Sequence, residues 1–232
     1  MRIADLNWMQ LEAYLERDDR IALPLGSTEQ HAYLSLETDN ILAERVSVEA
    51  AEPLGVPVLP VVAYGITPAF AAYPGSPTLR VATYVAVVRD LLDSLHRQGF
   101  RRILIANGHA GNTPGRATVS EWLDAHDDAA VLWHEIWDGR PDEIAAEIDA
   151  DFDHASWSEN FPWTRLEGVA VPDAEKPMLD EIAYRVAGPD QLRDLLGDGS
   201  FGGVYERPDE DMLRIWQAGV EEVRDLLENA WR

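Results

Sequence analysis

The fold of this chain is decided by an apolar run that ends in a polar turn, RILIANGHAGN at residues 102–112. An apolar run without polar alternation is typical of a strand buried on both faces, as in a parallel sheet. Residues 21–25 and 130–134 have the same character, and residues 56–64 share it despite two prolines. We therefore predict four such strands.

Segments with helical periodicity separate these strands at residues 38–52, 78–97 and 113–126, and another lies at residues 209–231. Alternating strands and helices are typical of right-handed crossovers that build a mostly parallel sheet. We expect an α/β fold with helices on both faces of the sheet, forming one domain over residues 1–232. The irregular stretch at residues 149–177 is long for a structureless loop, which indicates a functional role.

The composition excludes several classes of site and partner. The chain has 232 residues and no cysteine, so disulfides, thiolate zinc sites and cysteine nucleophiles are excluded. Its 42 acidic residues outnumber the 19 basic ones, for a net charge of -23. Such a surface repels nucleic acids and anionic lipids. Since we find neither a basic-then-apolar leader nor a membrane-length apolar run, we expect a cytoplasmic protein without nucleic-acid or membrane partners.

Three polar clusters follow or lie near the ends of the apolar runs. The first is GSTEQH at residues 26–31, with Asp39 at the start of the next helix, and the second is NGHAGN at residues 107–112. The third is HASWSE at residues 154–159, inside the irregular stretch. Ligands of open parallel sheets bind beyond the carboxyl ends of the strands, so we expect the first two clusters to meet at one edge.

Mixed carboxylate and imidazole side chains suit Zn²⁺, Mn²⁺ or Fe²⁺. Two ions that share a bridging carboxylate need about two imidazoles and three carboxylates, a set supplied by Glu29, His31, Asp39, His109 and Glu159. Simpler alternatives stay open for each part. Glu-x-His pairs arise by chance, Asp39 can be a helix cap, and Asn107 with Gly108 can form a turn.

Together these motifs resemble the signatures of the creatininase (creatinine amidohydrolase) family. PLGSTEQH at residues 24–31, followed by Thr38 and Asp39, resembles the first signature. Residues 107–112 resemble the second and residues 154–159 the third. Tyr64-Gly and residues 73–76 resemble the family's loop between the second strand and the long helix. The motifs occur in the family's order, and the resemblance extends from about residue 5 to about residue 230.

The resemblance implies a three-layer α/β/α sandwich with two divalent ions, Zn²⁺ and/or Mn²⁺ with Fe²⁺ as a further option, that hydrolyses an amide C–N bond. By position, Glu29, Asp39 and His109 match the ligands of one ion. His31 and Asp39 match those of the other, with Glu159 as its acid. His154 matches a histidine that carries a proton to the leaving nitrogen. The family also implies a homo-oligomer, often a hexamer.

Three further residues are candidate substrate contacts, namely Ser76, Ala110 and Trp157. A turn is the alternative role for Ser76, and a position outside the pocket is the alternative for Trp157.

The chain departs from the family pattern at several positions. Gly111 stands where creatininase has an acidic ligand, Phe70 stands where the family has a histidine, and residues 31–37 lack a second histidine. We therefore expect an amidohydrolase acting on a small amide, often a cyclic one, and do not assign creatinine as its substrate. A formamide or peptide hydrolase of the same family is one alternative. A non-catalytic metal- or ligand-binding protein with the same fold is another.

Overall fold

Three parallel strands form the centre of the computed structural model, which describes residues 1–231 apart from the side chain of residue 181. They are β1 (Arg20–Leu25), β2 (Arg102–Asn107) and β3 (Ala130–Glu135), in the spatial order β1-β2-β3. Leu25 pairs with Asn107, which in turn pairs with Glu135. The carboxyl ends of all three strands are therefore level, and the loops that follow them begin at one edge.

The fourth predicted strand, residues 56–64, is interrupted. This segment runs parallel to β1 and pairs with it through isolated bridges at Val58 and Val62. Pro57 and Pro60 have no N–H group to donate, which breaks a regular hydrogen-bond ladder. The prediction of a continuous strand here was wrong, although the segment does lie at the predicted place beside β1.

Eight α-helices surround the sheet in the described part of the chain. In chain order they are α1 (Trp8–Leu15), α2 (Thr38–Ala51), α3 (Val81–Gln98), α4 (Thr113–Asp124), α5 (Arg140–Ile148), α6 (Glu181–Val186), α7 (Pro189–Leu196) and α8 (Asp209–Asn229). Helices α2, α4 and α8 match their predictions within two residues at each end. Helix α3 begins three residues later than predicted, and α1, α5, α6 and α7 were not predicted.

Alternate residues of the strands pack against two different helical layers. Ile103 and Ile105 of β2 belong to a buried cluster with Val88 of α3 and Trp122 of α4. Their neighbours Leu104 and Ala106 belong to a second buried cluster, with residues of α2, α5 and α8. Successive side chains of a strand point to opposite faces, so the sheet has a core on each side. The structure is the predicted three-layer α/β/α sandwich.

None of the helices in the described part of the chain is long and apolar enough to cross a membrane. The predicted irregular stretch, residues 149–177, contains one turn of 3₁₀ helix at Trp157–Glu159. This turn brings the third polar cluster toward the edge where β1 and β2 end.

Candidate metal centre

A buried group of carboxylates and imidazoles occupies the edge at which the strands end. Glu29 and His31 come from the loop after β1, and Asp39 is the second residue of α2. His109 follows β2, and Glu159 ends the 3₁₀ turn of the irregular stretch. The structure thus brings together all five predicted ligands.

The first set of neighbours contains Glu29, Asp39 and His109. His109 Nδ1 lies 3.3 Å from Glu29 Oε2 and 3.1 Å from Asp39 Oδ2. One donor atom from each of the three residues lies within 4.8 Å of the other two, a spacing that a single cation can span. This set can hold one divalent ion.

The second set contains His31, Asp39 and Glu159. His31 Nε2 lies 3.0 Å from Asp39 Oδ1 and 3.7 Å from Glu159 Oε2. These three residues also satisfy the 4.8 Å spacing. Asp39 belongs to both sets and faces each histidine with a different oxygen, which is the arrangement of a bridging carboxylate.

The two imidazoles are oriented by backbone carbonyl groups. His31 Nδ1 lies 3.1 Å from the carbonyl oxygen of Glu29, and His109 Nε2 lies 3.0 Å from that of Ile66. A neutral imidazole that donates from one nitrogen presents a lone pair on the other. Metal-binding histidines are characteristically held in this way, with the second nitrogen hydrogen-bonded to an acceptor.

Glu29 Oε2, His31 Nε2 and Asp39 Oδ2 are buried, and none of them makes a well-directed hydrogen bond to the described residues, although each lies within 3.0–3.3 Å of another ligand atom. Leaving such an atom unsatisfied costs about 1–3 kcal/mol, and more for a charged group. Each of these atoms belongs to a residue of one or both ligand sets. Divalent cations would satisfy them together, so these residues fit a metal centre by their own chemistry.

The protonation of the site reflects the same crowding of charge. Burial alone lowers the pKa of His31, but the carboxylates of Asp39 and Glu159 outweigh burial and raise it to about 10. His109 likewise has a pKa raised to about 9, because Asp39 and Glu29 outweigh its burial. Burial raises the pKa of Glu159 to about 7. Without metal, protons on the imidazoles balance the buried carboxylates.

Gly111, at the position where the family resemblance predicts an acidic ligand in creatininase, has no room for a side chain. A Cβ on Gly111 would lie 2.1 Å from the Ile66 carbonyl oxygen and 2.4 Å from His109 Nε2, so a side chain does not fit there. Glu159 instead approaches from the irregular stretch, and its Oε2 accepts a 2.6 Å hydrogen bond from the Ala155 N–H.

His154 stands beside the two sets of ligands. Its Nδ1 lies 3.9 Å from Glu29 Oε1, and its ring stacks on Phe70 with centroids 4.6 Å apart. Burial and the neighbouring His31 hold the pKa of His154 well below its usual range. Donor atoms of Glu29, His31 and His154 also satisfy the 4.8 Å spacing, so His154 is geometrically able to contact a cation.

A cavity of about 710 Å³ opens above these residues. Its base includes Glu29, Asp39, His109, His154 and Glu159, and its aromatic walls are Phe70, Trp137, Phe152, Tyr184 and Phe201. Small-molecule sites are typically concave and largely apolar, with a few polar groups that fix orientation. Tyr184 lies on α6 and Phe201 on a distant loop, and we found no motif in either segment that would have pointed to this wall.

The three predicted substrate contacts are placed differently. Ala110 lines the cavity. Ser76 lies behind it, where its hydroxyl accepts a 2.9 Å hydrogen bond from the Gln30 N–H. Trp157 is completely buried in the core, with its ring edge-on to Phe152. The geometry therefore supports substrate contact for Ala110, a loop-supporting role for Ser76 and a packing role for Trp157.

The fold and this site define an α/β/α protein whose strand ends carry a cluster of residues able to hold divalent metal. The family model for creatininase, creatinine amidohydrolase, matches residues 4–227, and the chain belongs to that family. The family resemblance drawn from the motifs is thereby confirmed.

Individual relatives agree with this assignment. A creatinine amidohydrolase from Pseudomonas putida is 31% identical over 118 residues, which span 48% of this chain and 45% of that protein. A 3-dehydro-scyllo-inosose hydrolase from Thermotoga maritima (strain ATCC 43589 / DSM 3109 / JCM 10099 / NBRC 100826 / MSB8) is 24% identical over 238 aligned positions, spanning 94% of this chain and 76% of that protein. The first match thus covers less than half of its relative.

Solved structures share the fold. The crystal structure of a creatinine amidohydrolase superposes with a TM-score of 0.84 at 21% identity, covering 99% of this chain and 97% of that one. Creatininase has also been solved as a Zn–Zn variant and as a Mn form, with TM-scores of 0.82 and 0.84 and identities of 20% and 21%. The Zn–Zn variant covers 99% of this chain and 97% of its own, and the Mn form 99% and 98%. At these identities the structures establish the shared fold.

Proposed function

We propose that this chain is a metal-dependent amidohydrolase that cleaves the C–N bond of a small amide, cyclic or linear. The observation that carries the proposal is the convergence of buried ligand atoms on Glu29, His31 and Asp39, of which Glu29 and Asp39 line the cavity. Membership of a family of amidohydrolases supports the reaction class.

Five residues would hold two ions in this proposal. Glu29, Asp39 and His109 would hold one, and His31, Asp39 and Glu159 the other. Two divalent ions, Zn²⁺ or Mn²⁺ with Fe²⁺ as a further option, supply a Lewis acid for the scissile carbonyl and lower the pKa of water at the site. The existence of Zn–Zn and Mn forms of creatininase supports this choice of metals.

His154 is suited to move the proton that leaves the nucleophile. Its Nε2 lies 3.0 Å from the backbone carbonyl oxygen of Gln30 and 2.9 Å from the same residue's side-chain nitrogen. Nε2 therefore finds a partner whether it carries a proton or a lone pair. Because Gln30 accommodates both tautomers, Nδ1 is free to accept a proton beside Glu29 and return it to the departing nitrogen, as general acid–base catalysis requires.

The aromatic walls exclude water from the reacting groups. Phe70 stacks on the His154 ring, and Phe201 lies 5.1 Å from it, centroid to centroid. This apolar surround disfavours the imidazolium, so the ring of His154 is unprotonated and keeps a lone pair available before proton transfer. Exclusion of water also strengthens every electrostatic interaction of the site.

The substrate is proposed as a class. The cavity has the size of a small-molecule site, whose usual range is about 300–1,000 Å³. The two named relatives act on different compounds, creatinine and 3-dehydro-scyllo-inosose, so neither compound is transferred to this chain. A single domain over residues 1–232, a homo-oligomer such as a hexamer, and a cytoplasmic location stay predictions from the sequence.

Elemental analysis joined to an amide panel tests the proposal. We expect purified protein, supplied with Zn²⁺ or Mn²⁺, to retain two ions per chain and to hydrolyse at least one of formamide, acetamide, 2-pyrrolidinone and hydantoin. Glu29→Gln and Glu159→Gln should lose metal, while Glu167→Gln, the same change at an exposed position, should not.

Two outcomes would contradict it. Full metal content in both ligand variants would show that the ligands are assigned wrongly. Two bound ions without hydrolysis of any amide, in a panel extended to peptides, would instead identify a metal- or ligand-binding protein.

A further inference from the structure

The segment that follows α7, residues 197–203, surrounds His154 with contacts; we call it the Phe201 loop. The Phe201 ring lies 5.1 Å from the His154 ring, centroid to centroid, and the Phe201 N–H donates to the His154 carbonyl oxygen at 3.0 Å. The carbonyl oxygen of Gly199 accepts a 3.0 Å hydrogen bond from Gln30 Nε2, and this nitrogen lies 2.9 Å from His154 Nε2. The position of the His154 ring therefore depends on where the Phe201 loop lies.

The loop and the Gln30 side chain are packed too closely to move independently. Gly199 has a φ of +104°, a backbone conformation that favours glycine. A Cβ at Gly199 would overlap the Gln30 amide oxygen, so even a methyl group does not fit between them. A displacement of the loop therefore also moves the Gln30 amide and its contact with His154.

Asp198 holds the Phe201 loop in place through both of its carboxylate oxygens. Its Oδ1 forms an ion pair with Lys176 Nζ and accepts a 3.1 Å hydrogen bond from the Ser200 N–H. Its Oδ2 accepts a 2.6 Å hydrogen bond from the Tyr205 hydroxyl. Burial alone raises the pKa of Asp198, but the hydrogen bonds from Lys176 and Tyr205 outweigh burial and lower it. The loop is thus fixed by a charged and fully engaged carboxylate.

Lys176 joins the two ends of the loop. Its ammonium group donates to the Leu196 carbonyl oxygen at 2.5 Å as well as to Asp198, and its backbone pairs with Gly203 through hydrogen bonds of 2.8 and 3.0 Å. The side chains of Lys176 and Asp198 are 22% and 24% exposed. Hydrogen bonds between charged groups are about twice as strong as neutral ones, and partial burial reduces their screening by salt.

We infer that Asp198, paired with Lys176, is a positioning residue that fixes the imidazole of His154 beside the metal sets. Neither Asp198 nor Lys176 is among the described residues that line the cavity, so the pair acts through the Phe201 loop. The inference rests on the proposed function for the role of His154 in catalysis. The placement of the ring itself rests on the contacts of the loop.

The first test removes the charge of Asp198 while keeping its shape. We expect Asp198→Asn to retain two ions and to lower kcat by about 10- to 100-fold with a smaller change in KM, because a displacement of about 1 Å can cost about 100-fold in rate. Lys176→Met should act in the same direction, and Lys176→Arg, which keeps the cation, should retain most of the activity. The double variant Lys176→Met/Asp198→Asn should lose about as much as either single variant, since residues of one network are not additive.

Asp18→Asn is the matched control for a merely structural role. The Asp18 carboxylate pairs with Arg20 and Arg102 at 2.6 and 3.0 Å, and its side chain is 14% exposed. These residues lie at the amino ends of β1 and β2, opposite the metal sets. We expect Asp18→Asn to lower Tm and leave kcat unchanged. The inference is overturned if Asp198→Asn behaves in the same way, if it loses metal, or if the losses of the two single variants add in the double variant.

The imidazole signals of His154 distinguish failure of this inference from failure of the proposed function. They are recorded by NMR on the Zn²⁺-loaded protein and identified by their absence from His154→Asn. We expect Asp198→Asn to shift them, because the Phe201 ring and the Gln30 amide move, and Asp18→Asn to leave them in place. If wild type hydrolyses no amide and this shift is still seen, the proposed function fails and the positioning stands. Unchanged His154 signals in Asp198→Asn overturn the inference whether or not wild type is active.

Discussion

Two groups of histidines and acids in this molecule look alike in sequence and differ in structure. The site cluster consists of Glu29, His31, Asp39, His109 and Glu159. The peripheral cluster lies at the carboxyl ends of α3 and α4 and consists of His96, Trp122, His126 and Asp128. Both place imidazoles within hydrogen-bonding distance of a carboxylate or a carbonyl group.

In the peripheral cluster the imidazoles and the carboxylate have partners in neighbouring residues. His96 Nε2 lies 2.8 Å from Asp128 Oδ1, and Arg101 Nε lies 2.9 Å from the other oxygen of that carboxylate. His126 Nδ1 lies 2.8 Å from the Trp122 carbonyl oxygen, and its ring stacks on Trp122 at 3.8 Å. The Asp128 side chain is 53% exposed, so water satisfies what the protein does not.

The site cluster has the opposite properties. Glu29 is 1% exposed, and ligand atoms of Glu29, His31 and Asp39 are buried without a well-directed hydrogen bond to the described residues. Burial removes water as an alternative partner, so the cost of the unpaired atoms must be met by something that binds there. Histidines near acidic residues therefore do not by themselves indicate a metal site. Buried and unsatisfied ligand atoms that share a centre do.

The largest effect is expected from the residue that both metal sets share. Asp39→Asn should abolish hydrolysis and lower the affinity for both ions by more than about 100-fold, because even removal of residues behind metal ligands costs 10- to 100-fold. Metal content by elemental analysis and activity on the amide panel measure this. Asp124→Asn, an exposed change on α4, serves as the control. Retention of two ions by Asp39→Asn would disprove the bridging role.

A smaller loss is expected from removing the proton carrier. His154→Asn should retain both ions but reduce kcat by about 10²- to 10⁴-fold, the usual range for a general acid–base group. His126→Asn, the corresponding change in the peripheral cluster, should leave kcat unchanged. Because His154 is also within reach of a cation, its metal content decides between the two roles. Loss of one ion from His154→Asn would make this residue a ligand.

Removal of the metal should lower the stability of the protein and make that stability depend on the protonation of the site residues. Chelation should lower Tm by on the order of 10 °C, as expected for loss of a ligand present at about a thousandfold its Kd. In the metal-free protein the pKa values of His31 and His109 are raised to about 10 and about 9, above an unfolded value of about 6.5. Their stabilisation is complete below about pH 6.5 and is lost as the pH rises through about 9 to 10.

The metal-free protein should therefore unfold at lower temperature at pH 9.5 than at pH 7, with a smaller difference when metal is bound. Metal binding at pH 7 should also release protons, because the ligands must be deprotonated. Calorimetry in two buffers of different ionisation enthalpy measures that release. A metal-free Tm that does not fall between pH 7 and pH 9.5 would contradict the predicted charge balance.

Much of this architecture could be predicted because its signals are local. The strands β1, β2 and β3 are uninterrupted apolar runs, and β1 and β2 each end at a polar motif, so both the burial of the strands and the edge at which these two motifs meet follow from the pattern. Helix α5 was missed because it is only nine residues long, with Pro141 and Ala145 as its buried positions. An apolar stripe this short does not distinguish a helix from the irregular segment that follows it in the sequence.

The features that could not be predicted depend on distant contacts. The position of Thr67 in the cavity wall depends on Asn112 and Thr78, which accept hydrogen bonds from the backbone N–H groups of Ile66 and Thr67. The dual partner of His154 exists because Gln30 lies 124 positions away in sequence and directly beside it in space. Periodicity carries no information about such pairs. Gln30 could nevertheless have been predicted as a site residue, because it lies in the same motif as Glu29 and His31.

The smallest effect is expected in the peripheral cluster, and it tests the comparison most directly. The hydrogen bond from His96 lowers the pKa of Asp128, so Asp128→Asn removes a genuine interaction. At an exposed site such an interaction contributes little and is screened by salt. We expect a small decrease in Tm that disappears in about 1 M NaCl, where the screening length is about 3 Å, with metal content and kcat/KM unchanged. Release of a metal ion by Asp128→Asn would contradict this expectation. It would show that exposed and fully paired residues also bind metal, so that burial and pairing do not distinguish an ordinary ion pair from a metal site.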